Sequence, residues 1–240
     1  MQFHEVLTSA GMPTLILVLI GIGGLFVISR ATERFKNKGM FLWQCSYQLA
    51  TLAMALILLF INRSIHGDYR SALNYGYFEA PTHYFSWMGI KDGTPWSSAV
   101  TTFLIFPFIA TTVVVYLQIL RAKQVCFVTI AKVLPAAIIL SIFNSFTEEI
   151  IFRVIGIEGL SSTLSITVLA LISGIWFGIP HYFGTPGKLP GVVMAGFLGW
   201  VAAISILETG GFAAAWGIHF VQDVPIITML LAVAVKEARD

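Results

Sequence analysis

Charge is scarce in this chain. Only 11% of its 240 residues are charged, against about 25% in an ordinary soluble domain. With 57% apolar residues and a mean hydropathy of +0.85, the composition excludes a cytosolic globule and equally a disordered chain, which needs low hydrophobicity. An excess of either sign is missing too. Fourteen basic residues face twelve acidic ones for a net +2, without the basic stripe of a nucleic-acid binder, so no nucleic-acid partner is expected. Cysteine is reduced to Cys45 and Cys126, which make neither a disulfide framework nor a zinc knuckle. Both are expected as buried thiols. No His-Glu-x-x-His occurs, which removes the usual signature of a membrane zinc protease. The first apolar run, Pro13 to Ser29, follows Met-Gln-Phe-His-Glu rather than a basic segment, and Arg30 follows it instead of a small-residue cleavage site. A retained anchor is expected rather than a signal peptide.

What the chain has is apolar length. A bilayer core of about 30 Å needs roughly 20 residues of helix, and seven stretches meet or approach that: 12–29, 41–62, 98–120, 127–157, 163–180, 190–207 and 212–235. The fold class expected is therefore all-α, a polytopic transmembrane helix bundle of about seven spans. The fourth stretch is longer than one span requires and holds Lys132 and Pro135, so its first part is expected as an interfacial turn, with the crossing starting near 133. Arg30, Arg34, Lys36 and Lys38 follow the first span, Arg121 and Lys123 the third, Lys188 the fifth, and Lys236 and Arg239 the seventh. All fall on one side, which the positive-inside bias assigns to the cytoplasm. The reading is a multi-pass cell-membrane protein with its N-terminus outside and its C-terminus cytoplasmic, in contact with the lipid bilayer.

One membrane domain over 1–240 is the simplest organisation, with a motif-bearing core at about 133–235. Residues 63–97 are the one long polar segment and hold Tyr69, Tyr75, Tyr77, Phe78, Tyr84, Phe85, Trp87 and Trp96. Rings with one wet edge favour the headgroup layer, so an interfacial belt is expected there, with a substrate lid as the alternative.

Ionisable groups inside apolar spans are costly and mark function or paired structure. The fourth span carries Asn144-Ser145-Phe146-Thr147-Glu148-Glu149-Ile150-Ile151-Phe152-Arg153. Glu149 and Arg153 are four apart with the acid first, the favourable helical ion pair, while Glu148 points about 100° away. One carboxylate is then neutralised locally and the other is free to face a cavity as a general base; a structural ion pair plus a helix-contact glutamate is the plain alternative. In the fifth span Gly174 and Gly178 form a small-xxx-small pair that admits a neighbouring helix, followed by Pro180 and His181. In the seventh, His219 and Asp223 are four apart and share a face, either in a site or in a structural hydrogen bond.

Glu-Glu-x-x-x-Arg, then Phe-x-x-x-His ending at His181, then His-x-x-x-Asp at 219–223, each on its own span, resembles the CAAX-protease and bacteriocin-processing family of intramembrane endopeptidases. The resemblance covers roughly 140–230. It implies metal-free hydrolysis of a peptide bond in a membrane-proximal peptide or membrane-protein substrate, such as a prenylated CAAX tail or a leader peptide, with no cofactor. Carried over, Glu148 is the general base, His181 its partner, Glu149 and Arg153 hold the pocket in register, and His219 with the residue four later stabilises the oxyanion. The related type II CAAX prenyl endopeptidases end the last motif in asparagine; here stands Asp223, which when ionised only accepts hydrogen bonds. It then either is held protonated or orients His219 as the acid does in a triad.

At 1.5 Å per residue, Glu148 lies about 15 Å from a turn near 158, His219 about 12 Å from a turn near 211, and His181 about 27 Å from a turn near 163. His181 is thus too deep unless the fifth span tilts or breaks, and Gly178-Ile179-Pro180 supplies a break. Other chemistries remain open. Glu148, His181, His219 and Asp223 could bind zinc or another divalent metal. A serine protease at Ser173 lacks the glycine two residues earlier, so Ser173 reads as a helix-packing residue, and an aspartyl protease lacks a second span aspartate beside Asp223, since Asp68 and Asp92 lie in the polar loop. Non-enzymatic alternatives are a membrane scaffold, a bacteriocin self-immunity protein, or a transporter relaying protons.

Overall fold

In a computed structural model of the protein, residues 11–66, 73–161, 164–184 and 187–238 are described. Among them no strand forms beyond an isolated bridge between Pro81 and Pro95. Helix α1, Gly11–Thr32, gives way to a 3-10 turn over Glu33–Lys38. Gly39, at φ 119°, turns the chain through a backbone region that a Cβ disfavours into α2, Met40–His66. Helix α3, Trp96–Val115, continues as a π-turn over Tyr116–Leu120. Helix α4, Phe127–Glu149, a π-turn over Ile150–Val154 and α5, Ile155–Leu160, stack into one 34-residue rod. Helix α6 spans Ile166–Gly178, α7 Lys188–Thr209 and α8 Ala213–Glu237.

Among the described residues, seven helices are long and apolar enough to cross a membrane, so the all-α reading of about seven spans holds. Pro107, Pro135 and Pro225 sit inside α3, α4 and α8. Prolines are more readily tolerated within membrane helices, where neighbouring groups re-satisfy the freed backbone. Small residues set the closest contact. A Cβ on Gly174 would lie 2.8 Å from the Gly196 carbonyl oxygen, and one on Gly178 2.7 Å from that of Val192. The expected small-residue seam therefore joins α6 to α7, and Ser173, buried, donates across it to the Gly199 carbonyl at 3.5 Å. On the side of the basic loops, Lys123 Nζ lies 2.6 Å from Glu237 Oε1 and Lys236 Nζ donates to the Lys123 carbonyl at 2.7 Å, joining the ends of α3 and α8.

Several expectations are corrected. The stretch 127–133 is helix, continuous through Pro135. A membrane helix needs no interfacial turn to accommodate one proline. The rod does not turn near 158 but runs to Leu160, so Glu158 is buried at 4% exposure and accepts from Asn62 Nδ2 at 3.3 Å. Cys126 is exposed at the start of α4 and Cys45 only half-buried; apolar neighbours in sequence put both beside protein surface rather than inside it. Within 63–97, α2 extends to His66, and Phe85 and Trp96 are core residues packed edge-to-face at 5.6 Å. Tyr75, Tyr77 and Trp87 do keep exposed rings. This segment is strapped to the α7–α8 turn by Tyr77 N–H to Thr209 O and Phe212 N–H to Asn74 O, at 2.8 and 2.7 Å. Trp96 Nε1 adds a bond of 2.8 Å to Glu208. Asp68, Tyr69 and Arg239 lie outside the described residues.

Candidate active site

Glu148 and Glu149 end α4, and the π-turn begins at the next residue. Such turns often sit at functional sites because they re-aim side chains within a helix. The turn carries Arg153, whose Nη1 lies 2.9 Å from Glu149 Oε1, both side chains fully buried. The guanidinium nitrogens are not aligned for hydrogen bonds. Their charge instead rests on the face of Phe177, Cζ to ring centroid 3.9 Å, a cation–π contact that strengthens when desolvated. Gly199 makes the room, since a Cβ there would lie 3.1 Å from Arg153 Nη2.

His219 is brought to the same carboxylate. Its Nδ1 is 2.7 Å from Glu149 Oε1, a hydrogen bond that fits an Nδ1–H tautomer donating to the carboxylate. The acid within hydrogen-bond distance of His219 is thus Glu149, with Asp223 farther off. The other nitrogen, Nε2, stands 3.6 Å from both Glu148 Oε2 and Asp223 Oδ1. The near-level depths expected for Glu148 and His219 are what bring these groups together.

The fifth span breaks where expected. After Gly178 the chain tightens into a 3-10 turn over Ile179–Phe183, which carries His181. Its Nδ1 lies 2.6 Å from the Phe177 carbonyl. A carbonyl only accepts, so Nδ1 is the protonated nitrogen of this ring and Nε2 keeps its lone pair in the neutral form. His181 and Glu148 share the wall of a cavity of about 240 Å³ with Tyr47, Phe152 and Gly184. His181 also lines a second cavity, of about 130 Å³, with His219 and Asp223. All six motif residues therefore meet at these two cavities or in the ion-pair cluster between them. No residue of 73–97 lines either one.

Sequence reasoning gave no role to Asn144. Its Nδ2 donates to Asp223 Oδ2 at 3.0 Å and to Glu148 Oε1 at 3.3 Å, and its Oδ1 accepts from Gln48 Nε2 at 2.9 Å. The signal was there for Asn144, which stands one helical turn before Glu148 on the same face. Gln48 and Tyr47 could have been flagged only as polar groups in an apolar span, since α2 carries no motif. Among the described residues no three His, Cys, Asp or Glu side chains are arranged as metal ligands.

Residues 130–225 match the family model for Rce1-like type II CAAX prenyl endopeptidases. The chain carries an Rce1-like domain. The match bears out the resemblance read from the three motifs and includes all six motif residues; residues 1–129, with Tyr47 and Gln48, lie outside it. Together with the seven apolar helices among the described residues, it supports a multi-pass membrane protein whose region 130–225 is similar to CAAX-type proteases. No curated protein and no solved structure matches the chain.

Breaking a buried ion pair from one side strands a charge, at a cost of about 3–5 kcal/mol. Arg153→Leu should lower stability by that order in thermal unfolding of the detergent-solubilised protein. Arg153→Leu combined with Glu149→Leu should be less destabilised than the two single changes add up to, because each single change strands the other's buried charge.

Proposed function

We propose that this protein is an intramembrane endopeptidase that hydrolyses a peptide bond of a membrane-proximal substrate with water activated by Glu148 and His181, without a metal. The observation that carries this reading is the cavity shared by those two side chains. Glu148 Oε2 has no hydrogen-bond partner and His181 presents an uncommitted Nε2. A water between them gives one proton to the Glu148 carboxylate while its other is held by His181. The resulting hydroxide adds to the substrate carbonyl carbon, whose π electrons move to oxygen. Glu148 then returns its proton to the amide nitrogen as the C–N bond breaks, leaving a carboxylic acid and an amine.

The tetrahedral oxyanion needs donors placed in advance, often the largest single contribution to such catalysis. His219, with Nδ1–H committed to Glu149, supplies Nε2–H when it carries both protons, and the three surrounding carboxylates are its countercharge. Asp223 accepts from Asn144 through Oδ2 and faces His219 Nε2 with Oδ1. Asn144, with both N–H groups given to Asp223 and Glu148, acts across the α4–α8 contact by holding those two carboxylates in place. A prenylated CAAX tail, a leader peptide or a membrane protein's stub all fit this chemistry. Orientation in the cell membrane, with the N-terminus outside, rests on the basic loops after the odd-numbered spans.

Glu148→Gln and His181→Ala should each lower cleavage by about 10²–10⁴-fold, the worth of general acid–base catalysis, with unfolding temperature little changed, as read by mass spectrometry of the cleaved bond. Cleavage abolished by exhaustive chelation would instead favour the zinc peptidase. A cellular phenotype that survives Glu148→Ala, with no cleavage detected, would favour the scaffold or self-immunity protein. Asp223→Asn should retain most turnover, since an amide oxygen still accepts from Asn144, whereas Asn144→Leu should lower kcat more than it raises KM. In a Cys45→Ser background, a membrane-impermeant maleimide should label Cys126 in inverted vesicles and not in intact cells; the opposite result would reverse the topology.

A further inference from the structure

Helix α2 lies outside the segment that matches the family model, yet it reaches the cavity of about 240 Å³ that holds Glu148. Tyr47 lines that cavity beside Glu148, Phe152 and His181. Its level is set by its neighbours in the helix. Gln48, next in the chain and 3% exposed, donates to Asn144 Oδ1 at 2.9 Å, and Asn144 stands one turn before Glu148. Thr51, one turn further along α2 and buried, donates to the Tyr47 carbonyl at 2.9 Å. The helix is thus pinned at the depth of the paired glutamates, with the half-buried Tyr47 ring turned into the cavity.

Among the described residues the Tyr47 hydroxyl has no hydrogen-bond partner. The two groups it faces are acceptors in the forms that activate water. Glu148 Oε2 is buried and unpartnered, and His181 keeps a lone pair on Nε2 because its Nδ1 is held by the Phe177 carbonyl at 2.6 Å. Such a pair takes protons from water and offers none to a growing negative charge. A phenol keeps its proton at neutral pH and donates through it. The other side-chain hydroxyl on this wall, Ser29, sits within a turn of the end of α1, nearer the basic loops.

We infer that Tyr47 is a further catalytic residue, whose phenolic O–H donates a hydrogen bond to the substrate carbonyl oxygen as it becomes an oxyanion. This role rests on the endopeptidase reading and adds to it a donor from the half of the chain that carries no motif. As the hydroxide bonds to the carbonyl carbon, the C=O π pair moves to oxygen, and the Tyr47 hydrogen bond to that oxygen tightens without proton transfer. When the C–N bond breaks, the pair returns to form the new carbonyl and the proton held by Glu148 goes to nitrogen, so Tyr47 ends the cycle as it began. His219 Nε2 stands 3.6 Å from Glu148 Oε2 without lining this cavity. The two donors therefore approach from different walls, and Tyr47 brings no charge of its own to a site already holding Glu148, Glu149 and Asp223.

The test uses the full-length protein in nanodiscs with a randomised library of N-palmitoylated heptapeptides, read by mass spectrometry, and the best-cleaved member for kinetics. Tyr47→Phe removes one oxygen and keeps the ring. It should lower kcat by about 10²–10³-fold, the loss on deleting one oxyanion donor, with KM and unfolding temperature little changed. 4-Aminophenylalanine installed at position 47 by nonsense-codon suppression restores an N–H donor and should recover at least tenfold over Tyr47→Phe. 4-Methoxyphenylalanine, which carries the oxygen without the proton, should recover nothing. A phosphonamidate version of the library, whose tetrahedral oxygens mimic the intermediate, should bind Tyr47→Phe at least tenfold more weakly than the native protein. Turnover of Tyr47→Phe within threefold of native, or a loss carried by KM alone, would overturn the donor and leave the endopeptidase reading standing. Lost turnover with a lowered unfolding temperature that 4-aminophenylalanine does not reverse would assign Tyr47 to packing. Phosphonamidate binding that depends on Tyr47 in a protein that cleaves no peptide would keep the donor and remove the endopeptidase reading; neither cleavage nor such binding would overturn both.

Discussion

A guanidinium sealed inside a lipid-embedded bundle, with one carboxylate as its counter-ion and an aromatic face as its bed, constrains everything around it. Arg153 cannot leave this position without stranding Glu149, and Glu149 is also the acceptor for His219. Phe177, under the guanidinium, stands with its ring centroid 4.5 Å from His181 and 5.1 Å from His219. One ion pair thereby fixes the rotation of α4 past the π-turn, the aromatic that separates the two histidines, and the approach of α7 at Gly199. Charges are placed in such an interior only where partners compensate for desolvation, and here each partner belongs to a motif.

Two local departures from α-helical geometry bring the histidines and acids to a common depth. The π-turn after Glu149 sets Arg153 relative to the paired glutamates, and the 3-10 turn after Gly178 swings His181 back toward them. His181 then stands between a cavity with a carboxylate and a tyrosine on its wall and one that is mainly apolar. The two cavities thus share a single imidazole in their walls, whose Nδ1 is held by the backbone of its own turn.

Much of this was legible in the sequence, for reasons particular to each part. The seven helices follow from apolar length, and the α6–α7 seam from Gly174 and Gly178. The break at His181 followed from depth, because a straight helix would have carried it past the level of Glu148. What escaped was set by contacts between helices that have no sequence signature. The hydrogen bonds of Asn144 to Asp223 and of Gln48 to Asn144 join residues 79 and 96 positions apart. The bond between His219 and Glu149 depended on the rotation of two helices about their axes, so spacing alone paired His219 with Asp223. The thiols misled because apolar neighbours in a membrane chain signal lipid as readily as protein. The polar segment misled in the other direction, its Phe85 and Trp96 serving as core.

The strap of residues 74–77 closes the end of the bundle where α7 meets α8. Ser29, Phe183 and Gly184, on the wall of the cavity that holds Glu148, come from the opposite end of their helices. There Phe26 and Phe183 stand edge-to-face at 6.4 Å on the wall of that cavity. The molecule is therefore lopsided as a vessel, stoppered at one rim and open at the other. On the proposed function, a juxtamembrane tail reaches Glu148 from the side of the basic loops without unwinding the helix that anchors it.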